Sequence, residues 1–258
     1  MPDTALEYLA GSAVRPELLA VLRDYGRLSL RDLADRVSAS RRTVKRTMST
    51  MESRGWIRPT NGAYELTSLG AAMLSAHGEF RERSRIATRL RSFLEHVPAA
   101  TFDFDVTALD DATVVTPDDD PTAFVDHLVD LRSDATRIRE YAPFLMFDSL
   151  QQLSAGVGNG HTTGDVSLVV RTDEPPQSSP EYGERFDTLT DAAHVDVHVY
   201  PDGPMLGFGV ADGCAFLGAA DDRDMPAALL KSDAPELVSW VERQFERCLD
   251  AAEPIAAE

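Results

Sequence analysis

The stretch Leu28-Ser29-Leu30-Arg31-Asp32-Leu33-Ala34-Asp35-Arg36-Val37-Ser38-Ala39-Ser40-Arg41-Arg42-Thr43-Val44-Lys45-Arg46-Thr47-Met48 decides how the first third of the chain folds. Ser29 with Asp32 three residues on is a capping-box arrangement, Asp standing in for Glu. Leu30, Leu33, Ala34 and Val37 then fall on one inward face. Ser38-Ala39 makes a turn, and Ser40 caps a second helix. On that helix Val44, Met48 and Met51 recur at i, i+4 and i+7 and must pack inward. Arg41, Arg42, Thr43, Lys45, Arg46, Ser49 and Thr50 are left pointing outward. Gly55 closes the helix. Trp56-Ile57-Arg58 and Ala63-Tyr64-Glu65-Leu66 read as strands, joined at Asn61-Gly62, whose residues tolerate the positive φ of a tight hairpin.

Two helices around a short turn, followed by a hairpin, make a winged helix-turn-helix. Such a fold lays the N-terminal part of its second helix toward base edges in the major groove of duplex DNA. Arginine pairs bidentately with guanine, hydroxyls reach bases or phosphates, and a helix N-terminus favours a phosphate. The candidate DNA-binding residues are therefore Ser40, Arg41, Arg42, Thr43, Lys45, Arg46 and Ser49, with Arg58, Asn61 and Tyr64 in the wing. The plain alternative is a solvated cationic helix face.

Charge supports the first reading. Met1 to Arg91 holds 16 Lys+Arg against 10 Asp+Glu, a local +6, whereas Ser92 to Glu258 holds 9 against 33, a local −24. The chain has two lysines, Lys45 and Lys231, and 23 arginines. Dense acid with little lysine suits a surface that must stay hydrated in molar salt, where the Debye length is about 3 Å and self-repulsion is screened. An acidic protein from a GC-rich genome would show a similar exchange of Lys for Arg. No run approaches the roughly 18 apolar residues of a membrane span, and the start Met1-Pro2-Asp3-Thr4 lacks the marks of a secretory signal. Cys214 and Cys248 have no metal or redox spacing. These features predict a cytoplasmic protein without membrane contact and without a cofactor.

Outward from the opening stretch, Met1–Gly11 predicts a short helix, and Arg15-Pro16 starts a firmer one that stops at Tyr25-Gly26. Thr67 caps a long helix carrying Leu69–Leu74, Phe80, Ile86, Leu90, Phe93 and Leu94 along one face, with a break expected near Gly78. Its other face carries Arg81, Arg83, Arg85, Arg89 and Arg91. The apolar face is expected to pair with a second copy, giving a homodimer; the alternative is a linker whose arginines pair with the acidic remainder. The predicted domains are 1–75, a connecting or dimerisation helix 76–98, and 99–258.

The last part alternates. Helices are predicted over Thr122–Leu131, Phe144–Leu153, Glu181–Ala192 and Pro235–Ala252. Strands are predicted over Ala112–Thr116, Ala135–Tyr141, Val166–Val170, Val195–Tyr200, Leu206–Val210 and Ala215–Gly218, with a weaker one near Ala227–Leu230 and a hairpin at Asp212-Gly213. Alternation followed by a meander predicts an α/β domain with a mixed sheet, and an α/β and α+β two-domain chain overall. The loop Gly156–Gly160 and strand ends are default ligand positions. Arg137, Arg139, His161, Arg171, His198 and Tyr200 are the candidate residues for a small-molecule effector, against the reading that the arginines merely pair with nearby aspartates. His194, Asp196 and His198 share a strand face, but one wet strand face is a poor metal site, and no metal is predicted. Asp118-Asp119-Asp120 lacks the alternate spacing of a calcium loop.

Ser38–Val44, Glu52–Ile57 and Tyr64–Gly70 resemble archaeal winged-helix regulators. Leu109–Pro117, Leu206–Asp212 and Trp240–Arg247 resemble haloarchaeal transcriptional regulators whose second domain is of the methanogenesis-regulator (FilR-type) middle-domain kind. That resemblance implies a DNA-binding regulator with an α/β sensor domain. The second domain is also similar to the phospholipase-D-like sensor domain of archaeal sugar-responsive regulators, but neither His161 nor His198 is followed by the lysine of the His-x-Lys-x4-Asp motif. The chain is thus expected to be a regulator and not an enzyme. The competing readings are a nucleic-acid-associated enzyme of phosphodiesterase-like fold and a winged-helix protein-interaction module.

Overall fold

The computed structural model describes residues 5–117, 123–133, 135–143, 145, 147–158, 164–171 and 180–255. The chain divides into two compact units, Met1–Arg85 and Ile86–Glu258.

The first unit contains α1 (Ala5–Ala10), α2 (Val14–Tyr25), α3 (Leu30–Ala34), α4 (Arg41–Ser53), β1 (Ile57–Thr60), β2 (Ala63–Leu66) and most of α5 (Ser68–Arg89). Leu18, Leu19, Leu22, Leu33, Val44, Met48, Met51, Trp56 and Ile57 form its core. The expected capping box is present: Ser29 Oγ accepts from Asp32 N, and the Asp32 carboxylate accepts from Ser29 N at 3.2 Å. Those bonds to Ser29 hold the Asp32 carboxyl below the usual carboxylate range. Asn61 (φ 51°) and Gly62 (φ 78°) make the hairpin, with Ile57 opposite Leu66. Leu28 adds a third, one-residue rung by exchanging backbone hydrogen bonds with Tyr64. At the start of α5, Thr67 Oγ1 accepts from Gly70 N and bonds back to the carbonyls of Gly55 and Trp56. Gly70 is required there, because a Cβ would stand 2.1 Å from the Trp56 carbonyl oxygen.

The long helix departs from expectation. No break occurs at Gly78; α5 continues to Arg89, since one glycine costs a helix only about 1 kcal/mol. The interruption comes at Leu90, before the short α6 (Arg91–Leu94). Nor is there one continuous apolar face. Leu74 lies in the first unit's core, Phe80 is 48% exposed, and Ile86, Leu90 and Phe93 are buried in the second unit's core.

The second unit has an eight-stranded sheet in the order β10-β6-β5-β4-β7-β8-β9-β3. Its strands are β3 (Thr113–Val115), β4 (Arg137–Ala142), β5 (Asp165–Val170), β6 (Val195–Val199), β7 (Gly207–Ala211), β8 (Cys214–Ala220), β9 (Pro226–Ser232) and β10 (Glu253–Pro254). β4, β5 and β6 run parallel, and every other pairing is antiparallel. Between the strands come α7 (Ala123–Ser133), α8 (Phe147–Gly158), α9 (Pro180–Thr190) and α10 (Pro235–Ala251). Leu237, Trp240, Val241, Phe245 and Cys248 of α10 bury one sheet face together with Ile86, Leu90 and Phe93. Leu128 of α7 packs on the other face, and α8 and α9 meet through Leu150, Leu153, Tyr182 and Leu189. Covering both faces explains the near-continuous apolar run Val166–Val170.

Three local expectations change. α8 runs through Gly156–Gly158, where a loop is predicted. β9 is a full seven-residue strand between β8 and β3; alanines at 227 and 228 hide its strand character. β10 is unannounced in the sequence because it is two residues long and ends in an edge proline. His161, Asn159, Gly160 and the run Asp118–Asp120 lie outside the described residues.

Candidate nucleic-acid interface

The N-cap at Ser40 fixes how α4 presents its side chains. Ser40 Oγ accepts from Thr43 N at 3.1 Å and lies 2.9 Å from Thr43 Oγ1, so both hydroxyls serve the cap. With Val44, Thr47, Met48 and Met51 buried, the 3.6-residue period turns Arg41, Arg42, Lys45, Arg46 and Ser49 outward, all exposed. They line an open depression shared with Leu30 of α3 and Thr50. Arg41 lies 3.9 Å from Asp35. Among the described residues the side chains of Arg42, Lys45 and Arg46 have no ion pair or hydrogen bond. Within a chain of net charge −18, these three cations stand without counter-charges.

The wing is more mixed. Asn61 is exposed at its tip. Arg58 is exposed but is paired with Glu65, which also accepts from Arg27 Nη2 at 3.0 Å. Hydrogen bonds from Arg58 and then Arg27 hold the Glu65 carboxyl below its ordinary value. Tyr64 is half-buried against the first unit's core, and its backbone is committed to Leu28. Its ring supports the wing rather than projecting from it.

Several of the candidate effector residues of the second unit are tied into the fold. Arg137 is exposed at the start of β4. Arg139 donates to both Glu242 and Glu246 of α10 and stacks 4.7 Å over Phe245, so it ties a strand to a helix. Arg171 donates to the Pro201 carbonyl at 3.0 Å. Tyr200 packs on the α10 side of the sheet. His198 is half-buried on β6, its Nδ1 without a partner among the described residues. Among the described residues no group of three or more His, Cys, Asp or Glu could hold a metal ion, and no helix is long and apolar enough to cross a membrane.

The helix arginines also change role. Arg89 donates to the carbonyls of Leu109, Asp110 and Ala112, fixing the end of the 3-10 turn Val106–Leu109. Arg85 pairs with Glu82, and Arg91 with Glu95, along their own helices. The expected cationic stripe is therefore partly neutralised.

Two residues were not legible as a pair: Arg132 of α7 and Glu140 of β4. Arg132 is 1% exposed and Glu140 5%. Arg132 Nε and Nη2 donate to the two carboxylate oxygens of Glu140, and Nη1 donates to Ser149 Oγ at 2.6 Å. The available signal was a charged residue at the position of Glu140 between Ile138 and Ala142, on a strand face otherwise apolar.

Comparison with known proteins places these units. Residues 3–89 match the HVO_A0261 N-terminal domain, and residues 121–251 match the middle domain of the methanogenesis regulatory protein FilR1. No curated protein matches the chain at a significant level. Among solved structures, the archaeal chromatin protein TrmBL2 is 12% identical, with 92% of each chain covered and a TM-score of 0.43. NucT from Helicobacter pylori is 14% identical over 56% of this chain and 98% of that one, also with a TM-score of 0.43. HmgR from Pseudomonas aeruginosa is 14% identical over 93% and 98%, with a TM-score of 0.24. Those structural likenesses are distant, whereas the FilR1 match spans half the chain and six of the eight strands of the second unit's sheet. The chain belongs to the family of the FilR1 middle domain, a regulator family, and carries an HVO_A0261-type domain ahead of it.

Proposed function

We propose that this protein is a sequence-specific DNA-binding transcriptional regulator. It reads duplex DNA as a homodimer through the outward face of α4 and the tip of the β1–β2 wing. Its second unit acts as the effector-sensing part. The observation that carries this reading is the exposed trio Arg42, Lys45 and Arg46, which lacks counter-charges among the described residues of a protein with 43 acidic residues. A merely solvated helix in so acidic a chain would be expected to attract carboxylates, as Arg58, Arg85 and Arg91 do.

The acidic bulk repels DNA, so affinity must come from few contacts. Three cations per protomer that each neutralise one phosphate give log K against log salt a slope of about −2.7 per half-site, about −5.4 for the dimer. In molar salt that contribution is small. Base contacts, at about 1–3 kcal/mol for each good bidentate pair, and two-fold repetition then supply the rest.

Selection of bound duplexes from a random pool tests the reading. The wild-type chain should enrich one motif with two related half-sites, and Arg42→Ala/Lys45→Ala/Arg46→Ala should enrich none while keeping its unfolding midpoint. Failure of the wild-type chain to enrich any motif, at any salt concentration in which it stays folded, would overturn the assignment.

A further inference from the structure

Between α7, α8 and the sheet of the second unit lies a cavity of about 100 Å³. Leu128, Phe216 and Leu229 give it apolar walls. The room is left by small residues. Gly207 faces Gly218 across the β7–β8 pair, so neither strand supplies a side chain there, and Ala220 continues the gap. The cavity lies at the carboxyl end of β4, where parallel pairing with β5 gives way to antiparallel pairing with β7. Ligands of α/β sheets enter outside the carboxyl ends of parallel strands, where the arrangement of strands changes. Exposed Met205 and Asp224 on its lining give access from solvent.

The Arg132–Glu140 pair forms part of the wall. Arg132 makes two hydrogen bonds to Glu140, one to Ser149 Oγ and a long one of 3.4 Å to Gln152 Oε1, which leaves its donors almost fully used. Each Glu140 oxygen accepts one bond from Arg132 and retains lone-pair capacity. A buried ion pair adds little stability over apolar side chains of similar shape. Here it gives an apolar cavity an acceptor without adding net charge.

We propose that this cavity binds a small neutral organic molecule with a hydroxyl group on a short apolar body, the hydroxyl donating to Glu140. A carboxylate would be repelled by Glu140, with only one Arg132 N–H and the Ser149 hydroxyl beside it to offset that repulsion. An ammonium would lie next to the Arg132 guanidinium, and either ion would lose its water on entry. The volume is below the roughly 150 Å³ of a cavity that takes benzene, which limits the body to about five heavy atoms. The proposal rests on reading the second unit as the sensory part.

Isobutanol, isobutyrate and isobutylammonium carry one branched skeleton with three charges. Each is titrated into the full-length chain labelled at Leu and Met methyls, in the absence of DNA. Isobutanol should shift the methyls of Met205, Leu128 and Leu229 saturably, and bind about tenfold or more tightly than either ion. Ala220→Leu fills the cavity without touching the ion pair, and should weaken that binding by about tenfold. Arg132→Met/Glu140→Leu should stay folded and weaken it by a similar factor. The absence of saturable shifts with isobutanol, tighter binding of either ion, or undiminished binding to Ala220→Leu would each overturn the proposal. None of these outcomes bears on α4, and a failed operator selection would not alter the titration.

Discussion

Basic side chains meet opposite fates in the two units. On α4, Arg42, Lys45 and Arg46 extend into solvent with no carboxylate among the described residues to hold them. In the second unit Arg89 fastens three backbone carbonyls, Arg132 is buried on Glu140, Arg139 bridges to α10, and Arg171 holds the Pro201 carbonyl. Composition alone suggests the same direction, since a cation in the chain's acidic part sits among surplus carboxylates, but it does not say which cations are buried. The difference is one of surroundings. α4 lies beside short elements, and of its cations Asp35 reaches only Arg41, while also lying 3.9 Å from Arg31 of α3. β4 and α7 lie inside a covered sheet, where an unpaired guanidinium would be untenable and a partner must be built.

The largest test of this contrast is Arg132→Met. It strands Glu140 in the interior and should cost about 3–5 kcal/mol, read as a lower urea midpoint with an unchanged slope. Arg132→Met/Glu140→Leu should recover most of that loss, because two apolar side chains replace the pair. A midpoint unmoved by the single change would mean that the pair is not buried in solution. On α4 the prediction inverts. Arg42→Ala, Lys45→Ala and Arg46→Ala should each leave stability within about 0.5 kcal/mol, yet each should flatten the salt dependence of DNA binding by about 0.9 per protomer, about 1.8 for the dimer. Fluorescence anisotropy over a salt series measures this.

Arg139 is the intermediate case. Strand periodicity places Arg137 and Arg139 on one face, where they look like a ligand grip. The structure ties Arg139 to Glu242, Glu246 and the ring of Phe245. Glu246 is half-exposed, so solvent screening limits the gain. Arg139→Ala should cost about 1–2 kcal/mol in unfolding experiments, mostly through lost packing on Phe245. It should leave operator affinity unchanged, and a loss of DNA binding without loss of stability would break the assignment of Arg139 to structure.

What could be read in advance follows from how far apart the interacting residues are in sequence. The capping box at Ser29, the cap at Ser40, the Asn61-Gly62 hairpin and the apolar period of α4 are local, and each is where the sequence points. The mixed sheet was legible from its alternation. The partners of the arginines were not. Arg139 and Glu246 are 107 residues apart, and Arg89 and Leu109 are 20 apart. No periodicity predicts such encounters. The same holds for Asp212, whose carboxylate accepts from Thr136 N, Thr136 Oγ1 and Arg137 N and so pins the start of β4 to the β7–β8 turn. The sequence marks Asp212 only as a turn residue. Candidate DNA contacts were therefore easier to name than effector contacts, because one helix face holds the former, whereas distant pairing decides which of the latter stay open.

The smallest predicted effect lies where the contrast is weakest, in the wing. Arg58 is exposed like the α4 cations but paired like those of the second unit, since Glu65 accepts from it and from Arg27. Glu65 has its carboxyl pKa depressed by those two arginines, so its contribution to stability is present above the ordinary carboxylate range and is lost only as pH falls through the depressed value. Between pH 6 and pH 8, roughly two or more units above the ordinary Glu pKa, the carboxylate stays ionised and this clasp does not change. Arg58→Ala in the wild-type chain should therefore flatten the salt slope by clearly less than the roughly 0.9 of an unpaired cation. Glu65→Gln releases both arginines and should raise DNA affinity a few-fold, steepening the slope by up to about 0.9 for each that reaches a phosphate. Adding Arg58→Ala to Glu65→Gln should then remove a full step of about 0.9 per protomer, so the two changes are non-additive. Additive slopes would show that Glu65 does not restrain Arg58, and that the wing meets DNA as openly as α4 does.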